Sequence, residues 1–187
     1  MLKNLLIIIS LLLTSFAFAQ VETKVTAASY TKYSLTDTVL KINVSVKNQL
    51  SKLLNKKQQP PLHLLFTAAD KTLNANTSRW LAAKQQQDIY RISLSAIVSK
   101  YISETEKNLE KIFSAAEVRN YILFFDEADA LFGQRSAGNE KETNATLNYF
   151  LQRSITFKGT IIISCSGNDC VTQLAKQNFI NINTAVQ

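Results

Sequence analysis

"YILFFDEADALFG", Tyr121 to Gly133, sets an unbroken apolar run directly before two adjacent carboxylates, Asp126 and Glu127. A strand with one wet face would alternate, whereas a run that is apolar at every position suits a strand covered on both faces, as in parallel sheets flanked by helices. Tyr121–Phe125 is therefore expected to be a central parallel strand. The two acids then stand at its carboxyl end, where the ligand crevice of an open α/β sheet lies. By themselves they could equally accept the free backbone N–H groups of a following helix.

The surrounding chain repeats this alternation. Apolar runs at Leu62–Phe66, Ile89–Ser93 and Thr160–Ser164 predict strands, and helical periodicities at Thr72–Gln86, Glu104–Arg119 and Glu142–Arg153 predict the helices between them. The pattern implies an α/β fold, a parallel sheet with helices on both faces. Ser103 and Glu106 have the spacing of a capping box for the helix from Glu104. Before this core comes a polar lead-in from Val21 to Tyr33, a Ser-Leu-x-Asp turn from Ser34, and a helix around Val46–Leu54 that stops ahead of Pro60-Pro61. At the far end, "FININTAVQ" predicts one more strand.

Composition narrows the function classes. The chain has 187 residues, 46% of them hydrophobic, enough for one sizeable core. Its net charge of +7 is scattered apart from Lys52, Lys56 and Lys57, and no stripe of arginines and aromatics accompanies it, so a solvated surface is expected and a nucleic-acid interface is not. The single histidine, His63, sits inside an apolar strand, leaving too few soft ligands for a complete tetrahedral metal shell. Cys165 and Cys170 allow two readings, a disulfide or two small buried thiols at a strand end.

The opening "MLKNLLIIISLLLTSFAFAQ" has an early lysine, an apolar run and Ala17-Phe18-Ala19 at the spacing of a cleavage site, the pattern of a secretory signal. The run is shorter than the roughly twenty residues a spanning helix requires. The expected organisation is thus a leader over residues 1–19, a lead-in and helix over 20–60, and an α/β core over 61–187. The expected location is exported, periplasmic or extracellular, without stable membrane insertion once the leader is cleaved.

Taken together, "YRISLSAIVSKYISETEKNLEKIFSAAE", "ILFFDEADALFG" and "NATLNYFLQR" resemble the AAA family of ATPases in order and spacing, over a stretch from about Ser34 to Ile182. The resemblance implies a three-layer P-loop NTPase-like sheet, with ATP and magnesium as cofactors. It assigns Asp126 to holding the metal and Glu127 to polarising the attacking water, because phosphoryl transfer needs charge neutralisation and an oriented nucleophile. It places Tyr101 and Ile102, within Lys100–Ser103, on a loop that grips polypeptide in a hexamer's pore, with Ser103 where the family has glycine. An ordinary partly buried loop is the other reading of Tyr101 and Ile102.

The resemblance also exposes departures. The family's phosphate loop, G-x-x-x-x-G-K-[ST], falls on "AADKTLNA", where Ala68 and Leu73 replace the glycines, Asn74 the lysine and Ala75 the hydroxyl residue. No glycine precedes Gly133, so no other register restores the motif. Glycines let the backbone approach phosphates, and the lysine balances their charge. With charge-assisted bonds worth roughly 1.5–3 kcal/mol each, ATP should bind about a thousandfold or more weaker. Lys71 reads as a solvated turn lysine. The sensor position falls on Ser166, with Asn168 nearby; the arginine pair falls on Gln177 and Asn178; and the C-terminal helical lid is expected to be absent. These departures favour a catalytically silent, exported binding or scaffold domain with no cofactor, a protein or polypeptide partner, and a monomeric or small oligomeric state. The alternatives are an active AAA ATPase that binds and hydrolyses ATP, and a chain with no selected activity.

Overall fold

Apolar runs become strands, and the periodic segments between them become the helices that cover the sheet. The computed structural model describes residues 30–33, 42–55, 61–98, 102–132 and 140–185, with the backbone alone for 30–33, 102 and 140–144. The expected leader, the Ser-Leu-x-Asp turn and Tyr101 lie outside the described residues. The strands are β1 (Tyr30–Tyr33), β2 (Leu62–Phe66), β3 (Ile89–Ser93), β4 (Ile122–Asp126), β5 (Thr160–Ser164) and β6 (Ile180–Ile182). The helices are α1 (Val44–Leu54), α2 (Lys71–Gln85), α3 (Leu94–Ile97), α4 (Ile102–Arg119), α5 (Asp129–Phe132), α6 (Glu140–Thr156) and α7 (Asn168–Ala175).

The sheet order is β1-β3-β4-β5-β2-β6, with β2 to β6 mutually parallel and β1 antiparallel to β3. β4 and β5 are buried at every position, as their continuous apolar runs require. One face of the sheet, through Leu65, Ile92, Leu123, Phe125, Ile161 and Ile163, packs on α4, α6 and α7. The other, through Leu64, Phe66, Ile89, Phe124, Ile162 and Ile182, packs on Val46 and Leu50 of α1 and Leu81 of α2. This is the three-layer arrangement expected. Phe125 and Phe150 meet edge to face at 5.0 Å, pinning α6 to the sheet; burial of such a side chain contributes roughly 1.5–3 kcal/mol. Arg153 then ties α6 to α4, donating from Nε to Glu110 at 2.8 Å while its guanidinium lies over Phe113.

Several elements differ from the sequence reading. The polar lead-in ends in β1, whose four residues are too few to show alternation and which pairs its whole length with β3. Ser103 does not cap α4: the helix already includes Ile102, so Ser103 has helical backbone and the capping box is not formed, while Glu104 places an acid in the first turn. Asp126 is the last residue of β4, not the first beyond it, because it still pairs across to Ser93. Helices α3 and α5 are single turns and α7 has eight residues, too short for periodicity to reveal. Among the described residues, no helix is long and apolar enough to cross a membrane.

Candidate functional site

Parallel register brings the carboxyl ends of β2, β3, β4 and β5 to one edge, with Phe66 opposite Ser164 and Ser93 opposite Asp126. Between them lies a cavity of about 340 Å³, walled by Ala68, Lys71 and Asn74 after β2, by Asp126, Glu127 and Asp129 at the end of β4, and by Ser164, Cys165 and Ser166 at the end of β5. The position is the one an open α/β sheet reserves for a ligand.

The segment after β2 is short. Helix α2 starts at Lys71, so Lys71, Leu73, Asn74 and Ala75 are all helical and only Thr67 to Asp70 form the connection. The expectation that Lys71 sits within a turn is corrected. Without glycine to hold positive φ, residues at the end of the motif wind into the helix. Asp70 closes the helix N-terminus, its carboxylate accepting from Thr72 N at 2.8 Å and Leu73 N at 3.1 Å. Asn74 is 1% exposed. Its Nδ2 donates to Ala68 O and to Ser164 Oγ, both at 2.8 Å, and its Oδ1 accepts from Thr184. The residue in the lysine's place is thus a buried clamp joining α2, the connection, β5 and the segment after β6.

Both acids have cationic partners. Asp126, 2% exposed, accepts from Arg91 Nε at 3.0 Å and also from its Nη2, while its other oxygen accepts from Glu127 N. Glu127 accepts from Lys71 Nζ at 2.5 Å, from Ser93 Oγ at 2.6 Å and from Ser95 Oγ. The Lys71 hydrogen bond, followed by those from the two serines, lowers the Glu127 pKa to about 2. Lys71 is raised in turn by Glu127. Glu127 has φ 59, a left-handed conformation that costs a residue with a Cβ roughly 1–2 kcal/mol. Neither acid's side chain caps α5: Asp126 is turned toward Arg91 of β3 and the Glu127 N–H, and Glu127 toward Lys71 of α2, Ser93 of β3 and Ser95 of α3.

At the end of β5, Asp129 accepts from Ser166 N at 3.0 Å and from Gly167 N at 2.7 Å. A Cβ on Gly167 would lie 2.7 Å from Asp129 Oδ1, so a larger residue there would push the carboxylate aside. Cys165 and Cys170 form a disulfide, with Cα atoms 6.3 Å apart, which resolves the two readings left open for them.

The structure therefore gathers Asp126, Glu127, Ala68, Asn74 and Ser166 around one cavity. Leu73 and Ala75 lie on α2 outside its lining, Ala75 packing on the apolar cluster beneath the sheet. The polar residue at the strand end that reaches across to Asn74 is Ser164; Ser166 serves Asp129 instead. Gln177 and Asn178 form the turn after α7, with Asn178 at φ 62, and do not line the cavity. Ile102 opens α4; Tyr101 lies outside the described residues. Sequence reasoning missed Asp70, Arg91, Ser93, Ser95, Asp129 and Thr184. Arg91 carried a signal, a charge inside an otherwise apolar strand, and so did Asp70, an acid directly before a helical segment whose first N–H groups it caps; the others are ordinary polar residues whose partners at the site are mostly distant in sequence.

Comparison with known proteins adds an independent line. The family model described as "ATPase family associated with various cellular activities (AAA)" matches residues 71–181, more than half of the chain. An uncharacterised AAA family ATPase, y4kL, of Sinorhizobium fredii is 35% identical over 71 residues, 37% of this chain and 22% of that protein. Spastin of Xenopus laevis is 31% identical over 99 residues, 52% and 16% respectively. Protein SAP1 of Saccharomyces cerevisiae is 30% identical over 96 residues, 50% and 11%. The aligned parts are between about a tenth and a fifth of these relatives' lengths. With an α/β sheet of matching type and paired acids at the end of its central strand, the chain belongs to the AAA family.

Proposed function

We propose that this AAA domain is catalytically silent and acts as an exported binding or scaffold module for a protein or polypeptide partner. The observation that carries the reading is that the polar groups at the cavity are already committed to one another. Asp70 puts a carboxylate on the N–H groups of α2. A helix N-terminus attracts anions, but a phosphate arriving here meets that carboxylate's negative charge. Asn74 is neutral and engaged in three bonds. The acid that the family uses to hold magnesium is paired with the Arg91 guanidinium, and the acid that would polarise water is paired with Lys71. The residues do not fit a magnesium nucleotide.

The export half of the proposal rests on the leader-like residues 1–19 and is tested by N-terminal sequencing of the protein recovered from the exported fraction. A mature start at Gln20 supports it, and an intact Met1 retained inside the cell sinks it. The silent half is tested by calorimetry with magnesium and millimolar ATP on wild type and Asp126→Ala. No saturable heat is expected from either. Saturable binding lost in the variant, together with ATP turnover abolished by Glu127→Gln, would establish instead the hydrolysing reading, which one observation favours: both acids are present.

A further inference from the structure

Beside the paired acids lies a second cluster that the family's chemistry does not use. The Asp129 carboxylate, Cys165 Sγ and Cys170 Sγ converge so that one ligand atom of each lies within 4.8 Å of the others. Both cysteines are almost completely buried, and Asp129 and Cys165 face the cavity. The carboxylate is held in place by backbone N–H groups of Ser166 and Gly167, the kind of outer bond that orients a metal-ligating acid. Gly167 leaves the carboxylate room in this position, since a Cβ there would push it aside.

We propose that this cluster is a redox-gated site for zinc or a similar thiophilic divalent cation. In the oxidised state the sulfurs are spent on each other. A dithiol reductant delivers two electrons and two protons to the Sγ–Sγ bond, becomes a disulfide itself, and leaves two thiols in the protein. The freed sulfurs must then separate to van der Waals contact. Zinc–sulfur bonds of about 2.3 Å and zinc–oxygen bonds of about 2.0 Å in a tetrahedron place neighbouring ligand atoms roughly 3.5–4 Å apart, so the sulfurs must move apart to that separation while the carboxylate already lies within 4.8 Å of both. Metal binding displaces the two thiol protons to solvent. Thiolates select zinc over magnesium or calcium. Two sulfurs and one carboxylate fill three positions, and the fourth faces the cavity, open to water or to an oxygen or sulfur donor on a ligand. The site is consistent with too few soft ligands for a closed shell, because it is an open one. It is independent of whether the paired acids bind nucleotide.

The test uses the full chain, either oxidised or reduced with dithiothreitol and freed of reductant without oxygen. Each form is titrated with cobalt(II) as a spectroscopic stand-in, then with zinc against a chromophoric chelator. The expected result is one equivalent bound per reduced chain with a thiolate charge-transfer band, and none per oxidised chain. Cys170→Ser should abolish the band. Asp129→Asn should weaken zinc by more than the roughly 10–100-fold that loss of an outer partner costs. Equal binding by oxidised and reduced chain, no stoichiometric binding by the reduced chain, or binding unmoved by both variants would overturn the proposal. So would unfolding on reduction, followed by circular dichroism. The wild-type comparison decides the matter even if a variant fails to fold.

Discussion

β2 and β4 run parallel into the same cavity, and each hands over to a helix, yet the two junctions handle charge in opposite ways. After β2 the chain provides its own anion: Asp70 sits on the N-terminus of α2, and the helix starts early because nothing in Ala68–Asp70 holds an open loop. After β4 the chain keeps two acids and surrounds them with its own cations and hydroxyls, Arg91 for Asp126, and Lys71, Ser93 and Ser95 for Glu127. The contrast teaches that an AAA sheet can keep its acidic strand while the opposite wall becomes ordinary helix, provided each buried polar group finds an internal partner. Lys71 connects the two junctions, belonging to one and neutralising the other.

The comparison breaks most visibly if the wall after β2 is pushed back toward the family pattern. Asn74→Lys would bury an ammonium where Ala68 O, Ser164 and Thr184 now receive an amide. A loss of about 3–5 kcal/mol is expected from an uncompensated buried charge, read as a lower urea midpoint, with no gain of ATP binding. Next comes the wall after β4. Arg91→Met strands the buried Asp126 carboxylate and should cost about 3 kcal/mol at neutral pH, most of it recovered in the double variant Arg91→Met/Asp126→Asn, as a double-mutant cycle would report. Asp70→Ala removes only a helix cap and should cost about 1 kcal/mol in thermal or urea unfolding.

The smallest effect sharpens the link between the walls. Glu127 titrates at about 2 against an ordinary 4.5, so the folded state binds its proton more weakly than the unfolded state does. Its contribution to stability is complete above about pH 4.5 and fades as pH falls toward 2. Lys71→Met should move the Glu127 midpoint upward from about 2 in an NMR titration, leaving a smaller shift sustained by Ser93 and Ser95. An unmoved midpoint would mean that the serines alone set it.

Much of the fold was legible because it is written in local periods. Leu62–Phe66, Ile89–Ser93 and Thr160–Ser164 are strands with the limits their apolar runs suggest, and the long helices shift by at most three residues at their ends. Elements without a period escaped: β1 has only four residues and depends on β3 for its pairing, and α3, α5 and α7 are one or two turns long. At the site, Asp126 and Glu127 were evident from their place after an apolar run, and the lack of glycine around Asn74 needed no structure to notice.

The sequence by itself determined the layer order of strand and helix, the family, the position of the paired acids and the composition of the segment facing them, since each depends on neighbours along the chain. Only the tertiary structure decided what those residues touch. That Lys71 reaches Glu127, that Arg91 holds Asp126, that Asn74 joins Ser164 to Thr184 and that Asp129 comes to lie beside the Cys165–Cys170 disulfide are consequences of strand order and register. A parallel sheet brings residues far apart in sequence to one edge, and no local pattern of apolar and polar residues specifies which of them will meet there.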